Sequence, residues 1–364
     1  MVRLAWLTPI LAALMVACGG TAAPATVSSA AKPSTAPTGS YQPSALNPAV
    51  KLNVAGAGLV GEAGIYAAAD KGYFKDEGLD VELLIMQQAA DIIPQLIGSQ
   101  LQFGAVAADA ALFNAASRDI PVRIVGYTAI IAPYGTSAGF VVRQDLLDSG
   151  RWKEPKDFKG MTFASNNARG GQGDVYIEKL GALGGWGLDD INQTVVPFGQ
   201  MPIAFANKAV DAAYVVEPFV SVMENQHTAK NVVPVGKVYP GLPAQTMTVS
   251  PGFAQSQPEA AKRFVVAWLR GQRDAWHAFV KKDVPPDGMF QILMNHTPVK
   301  DTALLTRMAT FTVDPNGEMD LKELQFEADS FLKYGTLKQK VDASKMVDPS
   351  YAKAAVERLG SISG

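Results

Sequence analysis

An α/β fold, built as two parallel-type sheets flanked by helices, is predicted by three observations. From residue 51 short apolar runs alternate with amphipathic helical stretches. The alternation breaks near Tyr134-Gly135 and then resumes. The last third of the chain turns helical, with no strand-rich segment. Alternating strands and helices imply parallel pairing with helices on both faces. The break predicts two lobes joined by two crossovers that act as a hinge. One lobe takes residues 50–135 and 245–364, the other residues 136–244.

The strands are expected at 51–55, 80–86, 102–106, 122–130, 138–143, 161–165, 194–198, 211–216, 231–236 and 244–249. Helices are expected between them at 61–71, 89–98, 108–117, 172–184, 200–208 and 217–226. Gly72 stands where a helix end favours a left-handed residue, and Gly78 turns the chain into the β-rich run Leu79–Ile85. Ser256-Gln257-Pro258-Glu259 has the pattern of a capping box, with Ser256 as N-cap and Glu259 three residues on. Ala261, Phe264, Val265, Trp268, Ala275, Trp276 and Phe279 follow at helical spacing, which marks a core face. Further helices are expected at 286–295, 299–309 and 318–334, the last stopped by Gly335.

The N-terminal region is read separately. Arg3 precedes an apolar run from Leu4 to Ala17, too short to span a bilayer and suited to a signal-peptide core. Leu14-Met15-Val16-Ala17-Cys18-Gly19 has small residues before a single cysteine, as in a lipobox. Residues 1–17 are thus expected to be a lipoprotein signal peptide, with Cys18 lipidated. Residues 18–49 are rich in Ala, Thr, Ser, Pro and Gly, carry one charge, Lys32, and are expected to form a flexible tether. Cys18 is the only cysteine, so no intramolecular disulfide or cysteine-based metal cluster is expected. The formal net charge is −2 and no basic face stands out, which argues against nucleic acid as a partner.

Residues 62–85, running from Glu-Ala-Gly-Ile-Tyr through Asp-Lys-Gly-Tyr-Phe-Lys-Asp-Glu-Gly-Leu to Leu-Leu-Ile, resemble the signature of bacterial solute-binding proteins of ABC importers. The group is the NMT1/THI5-like one, which serves sulfonates, nitrate, thiamine-pathway pyrimidines and riboflavin. Ala209-Val210-Asp211-Ala212-Ala213 with Glu217-Pro218-Phe219 is similar to a second segment of that group. The resemblance implies a type II-like periplasmic-binding-protein fold. It also implies capture of a small ligand between the lobes, and delivery to a permease and its ATPase. A monomer on the extracytoplasmic face of the membrane is expected. An envelope lipoprotein that senses a ligand without import is the alternative class.

Gly56-Ala57-Gly58-Leu59-Val60-Gly61 matches a dinucleotide fingerprint, but the following strand ends in Met86-Gln87-Gln88 with no acid to hold a ribose. The glycines are read instead as a tight turn whose amides, with the helix start at Gly61, face the ligand. The candidate ligand residues lie at strand ends. Glu62 is either a ligand acceptor or a favourable charge at a helix start. Tyr66, four residues on, shares its face. Gln87 and Gln88 end the second strand, and Asp109 either caps a helix or reaches the ligand. Tyr134 sits at the first crossover, with a flat face for a planar ligand. Asn166, Asn167, Arg169 and Gln172 belong to a glycine-rich loop that could cradle a polar group. Phe198, Tyr214 and Glu217 end later strands. Trp268 and Trp276, eight apart on one helix, have core spacing.

Acids outnumber bases in this set: Glu62, Asp109 and Glu217 stand against Arg169. Burying an anion would need more positive charge. The aromatics and amides suit a planar heterocycle. Riboflavin is the first candidate on the resemblance, and a thiamine-precursor pyrimidine or a sulfonate or nitrate anion is the alternative. His227, His277 and His296 lie far apart, and no nucleophile elbow or Walker loop is present. With Cys18 alone, the cysteine-rich iron motif of the eukaryotic relatives cannot form. Neither enzymatic activity nor a cofactor is expected.

Overall fold

The computed structural model describes residues 41–363 apart from Gln87, Asp119 and Thr310. The expected signal peptide, Cys18 and most of the expected tether lie outside the described residues. Eleven strands form two sheets. The larger has the order β11-β4-β10-β3-β1-β2, from β1 (Val50–Gly56), β2 (Leu79–Ile85), β3 (Phe103–Val106), β4 (Arg123–Ile131), β10 (Pro243–Val249) and β11 (Phe311–Thr312). The smaller has the order β7-β6-β8-β5-β9, from β5 (Ala138–Arg143), β6 (Thr162–Ser165), β7 (Asn192–Val195), β8 (Ala212–Val216) and β9 (Ala229–Pro234).

The sheets are mixed, which corrects the parallel-type expectation. β1 pairs parallel with β2 and β3, and β6 pairs parallel with β7 and β8. β10 runs antiparallel to β3 and β4, and β5 antiparallel to β8 and β9. β11 also runs antiparallel to β4, while β5 and β10 are the strands entered when the chain changes sheet. Ala138 at the start of β5 faces Val216 at the end of β8, and Pro243 at the start of β10 faces Ile130 near the end of β4. The neighbours finish at one boundary, and the crossing strand begins there. Short crossovers permit no other direction.

The helix Pro258–Ala275 carries the core face expected of it. Phe264, Val265, Trp268 and Ala275 are all buried. Phe264 stacks on Phe103 with centroids 3.7 Å apart. The capping expectation is corrected: Gln257 is the N-cap, and Ser256 closes a preceding helix, Pro251–Ser256, with Oγ donating to the Gly252 carbonyl at 2.8 Å. Pro251 and Pro258 each open a helix, since a first-turn residue needs no N–H partner. The strand expected at 194–198 ends at Val195, and Phe198–Gln200 is a 3-10 turn. Pro197 lies between and cannot donate to a ladder. The helix Leu321–Lys333 ends before Gly335, whose φ of 73° suits glycine. The helices Tyr73–Asp76 and Ser350–Leu359 were not foreseen.

The described end of the expected tether is held, not loose. Leu46 N donates to the Glu77 carbonyl at 3.2 Å, and Tyr41 donates to the Glu77 carboxylate. Glu77 is fully buried and is bridged by Arg263 at 3.3 Å and Arg358 at 2.9 Å. Two guanidinium partners offset the cost of burying that charge.

Helix Ala63–Asp70 crosses helix Pro258–Ala275 at bare backbone. A Cβ at Gly271 would lie 2.0 Å from the Gly64 carbonyl oxygen. Gly271→Ala is expected to push the helices apart and cost about 1–3 kcal/mol. Urea denaturation reads this as a lower midpoint with unchanged slope.

Candidate ligand cavity between the sheets

The strand ends converge on a cavity of about 100 Å³. Ala57, Leu59, Val60 and Gly61 after β1, Met86 after β2 and Ala107 after β3 line one side. Ser137 before β5, Asn166 and Asn167 after β6, and Glu217 after β8 line the other. Ala244 and Gln245 of β10 complete the wall. Among the described residues that line the cavity there is no Lys, Arg or His. The wall is apolar with a few polar groups, the make-up of a small-molecule site.

Six expected site residues line this cavity: Asn166, Asn167, Gln172, Phe198, Tyr214 and Glu217. Phe198 meets Tyr214 edge to face at 6.1 Å, and Tyr214 stacks on Tyr176 at 4.9 Å. Glu217 is buried. Its Oε2 accepts from the Ser221 amide at 3.0 Å, and its Oε1 accepts from Ser221 Oγ at 2.7 Å. Burial outweighs these bonds and pushes its pKa up to about 7.

The remaining expected residues that are described do not line the cavity. Glu62 is fully buried, and its carboxylate is consumed by the glycine turn beside it. Oε1 accepts from the Ala57 amide at 2.7 Å; Oε2 accepts from Gly58 at 3.0 Å, Leu59 at 3.1 Å and the Tyr66 hydroxyl at 2.5 Å. The amides expected to face a ligand therefore face Glu62. Tyr66 points into the protein and stacks on His296 at 4.6 Å. Asp109 caps its helix, accepting from Ala111 and Leu112 at 3.0 and 3.3 Å, and burial pushes it up to about 6. Tyr134 is 79% exposed at the crossover, where it holds a φ of 57°. Arg169 turns away to the Leu188 carbonyl at 2.7 Å and Asp189 at 3.3 Å. Gln88 donates across the sheets to the Asn166 carbonyl at 3.2 Å. Gln87 lies outside the described residues.

Two polar cavity residues escaped the sequence reading. Ser137 presents a buried hydroxyl with no hydrogen-bond partner among the described residues. Gln245 sits near the start of β10 and bonds Glu62. The signal available was position: both lie where the chain crosses between sheets.

Comparison with known proteins adds the following. The family model described as NMT1/THI5 like matches residues 61–278. No curated protein matches the chain in sequence. The periplasmic nitrate-binding protein NrtA from Synechocystis PCC 6803 superposes with a TM-score of 0.70 at 17% identity, over 86% of this chain and 89% of that one. The alkanesulfonate-binding protein SsuA from Xanthomonas axonopodis pv. citri, bound to MOPS, gives 0.64 at 15%, over 84% and 99%. The desulfurization enzyme DSZB gives 0.61 at 17%, over 85% and 99%. These likenesses establish the shared fold.

Glu62 ties the turn after β1 to the helix that follows. Glu62→Leu would leave three amides and a hydroxyl unpaired in the interior, so a loss of about 2–5 kcal/mol is expected by urea denaturation. The raised acids set a pH dependence with a definite sign. Glu217 has an ordinary pKa of 4.5 and a folded value of about 7. Between those values the native state keeps a proton that the unfolded chain has released, so its contribution to stability falls as pH rises through the window. Glu217→Gln removes that titration. From pH 5 to 8 the variant is expected to lose less stability than the wild type, by on the order of 2 kcal/mol.

Proposed function

Since the chain belongs to the NMT1/THI5-like family, we propose that it is the solute-capturing component of an ABC importer, held by a lipid on Cys18 to the extracytoplasmic face of the membrane. The convergence of both sheets' strand ends on one small cavity carries this reading. Residues 132–137 and 235–242 serve as the hinge, and residues 50–135 with 245–364 and residues 136–244 move as two lobes about it. A ligand entering the open form is enclosed when the lobes meet. The closed form is what a permease and its ATPase partner would receive.

Binding is favoured over catalysis because the described residues of the cavity wall offer hydrogen-bonding amides and the Glu217 carboxyl but no histidine, lysine or cysteine. The ligand we propose is a compact, uncharged heterocycle. Nitrate or a sulfonate would meet no cationic side chain in this wall, only Glu217. Riboflavin suits the aromatic and amide chemistry of Phe198, Tyr214, Asn166 and Asn167. It is larger than the enclosed space of about 100 Å³ and requires the lobes to part. A single-ring pyrimidine is closer to that volume.

Equilibrium dialysis of the protein lacking residues 1–17 tests this against 4-aminopyrimidine, riboflavin, nitrate and ethanesulfonate. Binding of a heterocycle, with both anions excluded, is the expected result. Saturable binding of an anion alone rejects the ligand class, and binding of none rejects solute capture.

A further inference from the structure

We propose that Gln172 is a fixed hydrogen-bond acceptor in the cavity wall, oriented from behind by Glu327 and the Pro243 carbonyl, and that it selects ligands presenting an N–H or O–H donor. This inference rests on the solute-binding reading and deepens it by naming the chemistry that the site recognises.

The orientation of the Gln172 amide is set by a partner whose role is unambiguous. The Pro243 carbonyl can only accept, and the atom 2.9 Å from it is therefore the amide nitrogen. That nitrogen has two hydrogens. The second goes to Oε1 of Glu327 at 2.7 Å. Both donors are spent inside the protein. Oε1 of Gln172 makes no hydrogen bond to any described residue, and Gln172 lines the cavity. The wall at this point offers a ligand an oxygen lone pair and no N–H.

Glu327 lies on the helix Leu321–Lys333, outside the sequence segment that the family model covers. That helix packs on the helices Ala110–Ala116 and Gln172–Gly184 and so bridges the elements of the two sheets. Glu327 has no exposed surface, and its Oε2 has no partner. Burial, with Asp109 and Glu323 nearby, pushes its carboxyl well above the usual carboxylate range. Oε1 of Glu327 accepts whether the carboxyl is neutral or ionised, so it fixes the Gln172 amide in either form. Glu327 is a positioning residue, not a ligand contact.

The rest of the polar wall agrees. Glu217 brings carboxyl oxygens whose protein partners are both donors from Ser221. Ser137 Oγ is buried, unpaired and on the same wall. A donor-bearing ligand satisfies these groups, whereas an isostere without the donor leaves a buried acceptor unpaired. That loss is what makes polar sites discriminate.

The probes are 4-aminopyrimidine and 4-methylpyrimidine, which share a shape and differ in the donor. Affinities are measured by ligand-observed NMR titration on the chain lacking residues 1–17, beside nitrate and ethanesulfonate. The wild type is expected to prefer the amino compound by about ten-fold. Gln172→Met should erase the preference. Glu327→Met frees one amide hydrogen and should narrow it, while Glu327→Gln, which keeps an acceptor oxygen, should retain it. A merely structural Glu327 would weaken both probes alike and leave their ratio unchanged. Equal binding of the two probes by the wild type overturns the inference, as does an undiminished preference in Gln172→Met. Glu327→Gln losing the preference as Glu327→Met does would overturn the role of Glu327. Binding of an anion with neither pyrimidine overturns the donor class and leaves solute capture standing. Binding of none of the four overturns both.

Discussion

The direction in which the chain enters each sheet is the constraint on which this structure depends. β5 and β10 begin where their neighbours end, and both run antiparallel to them. Short crossovers leave no length for the chain to travel to the far end of a sheet before pairing. The outcome is that the ends of β1, β2, β3, β6 and β8 and the starts of β5 and β10 meet at one boundary. Strand ends carry loops, and loops carry free polar groups. The cavity is a consequence of chain polarity before it is a consequence of any side chain.

Buried carboxyl groups then decide what those loops can offer. Glu62 takes the amides of Ala57, Gly58 and Leu59, so a turn that reads as a polar cradle is already filled by its own chain. Glu327 takes an amide hydrogen of Gln172, and Glu217 takes both donors of Ser221. Each group sits in low-dielectric surroundings that raise its pKa. Their protein partners are donors, and the wall beside them keeps acceptor character without gaining a cation. NrtA and SsuA, as nitrate- and alkanesulfonate-binding proteins, share the fold at 17% and 15% identity. A common frame at that identity establishes the fold and does not set the choice of ligand. The side chains of the wall supply that.

The sequence located most strands and helices because each has a local cause. The β-rich run after Gly78 marks β2, helical spacing marks Pro258–Ala275, and Gly335 stops its helix by taking a left-handed φ. It failed where two local causes compete. Ser256 reads as the cap of the helix opened by Pro258, yet it also closes the helix Pro251–Ser256, and Gln257 takes the N-cap position. It failed again at 194–198, where Pro197 cuts an apolar run short. Among site residues it found those on loops after strands, Asn166, Asn167, Gln172, Phe198, Tyr214 and Glu217, because position along the chain implies position at the sheet edge.

What the amino-acid order determined by itself is the set of elements, the break near Tyr134 and the list of groups at strand ends. Those follow from periodicity, glycine and proline, which act within a few residues. Which of these groups stay free was decided only by the tertiary structure. Glu62, Asp109, Arg169 and Tyr134 look equivalent to Glu217 and Asn166 along the chain. In space the first two acids cap backbone amides, Arg169 turns to Leu188 and Tyr134 faces solvent. Hydrogen-bond capacity is finite, and a group's partners come from residues far apart in sequence, as Gln172 with Pro243 and Glu327 shows. No local pattern records how that capacity is spent.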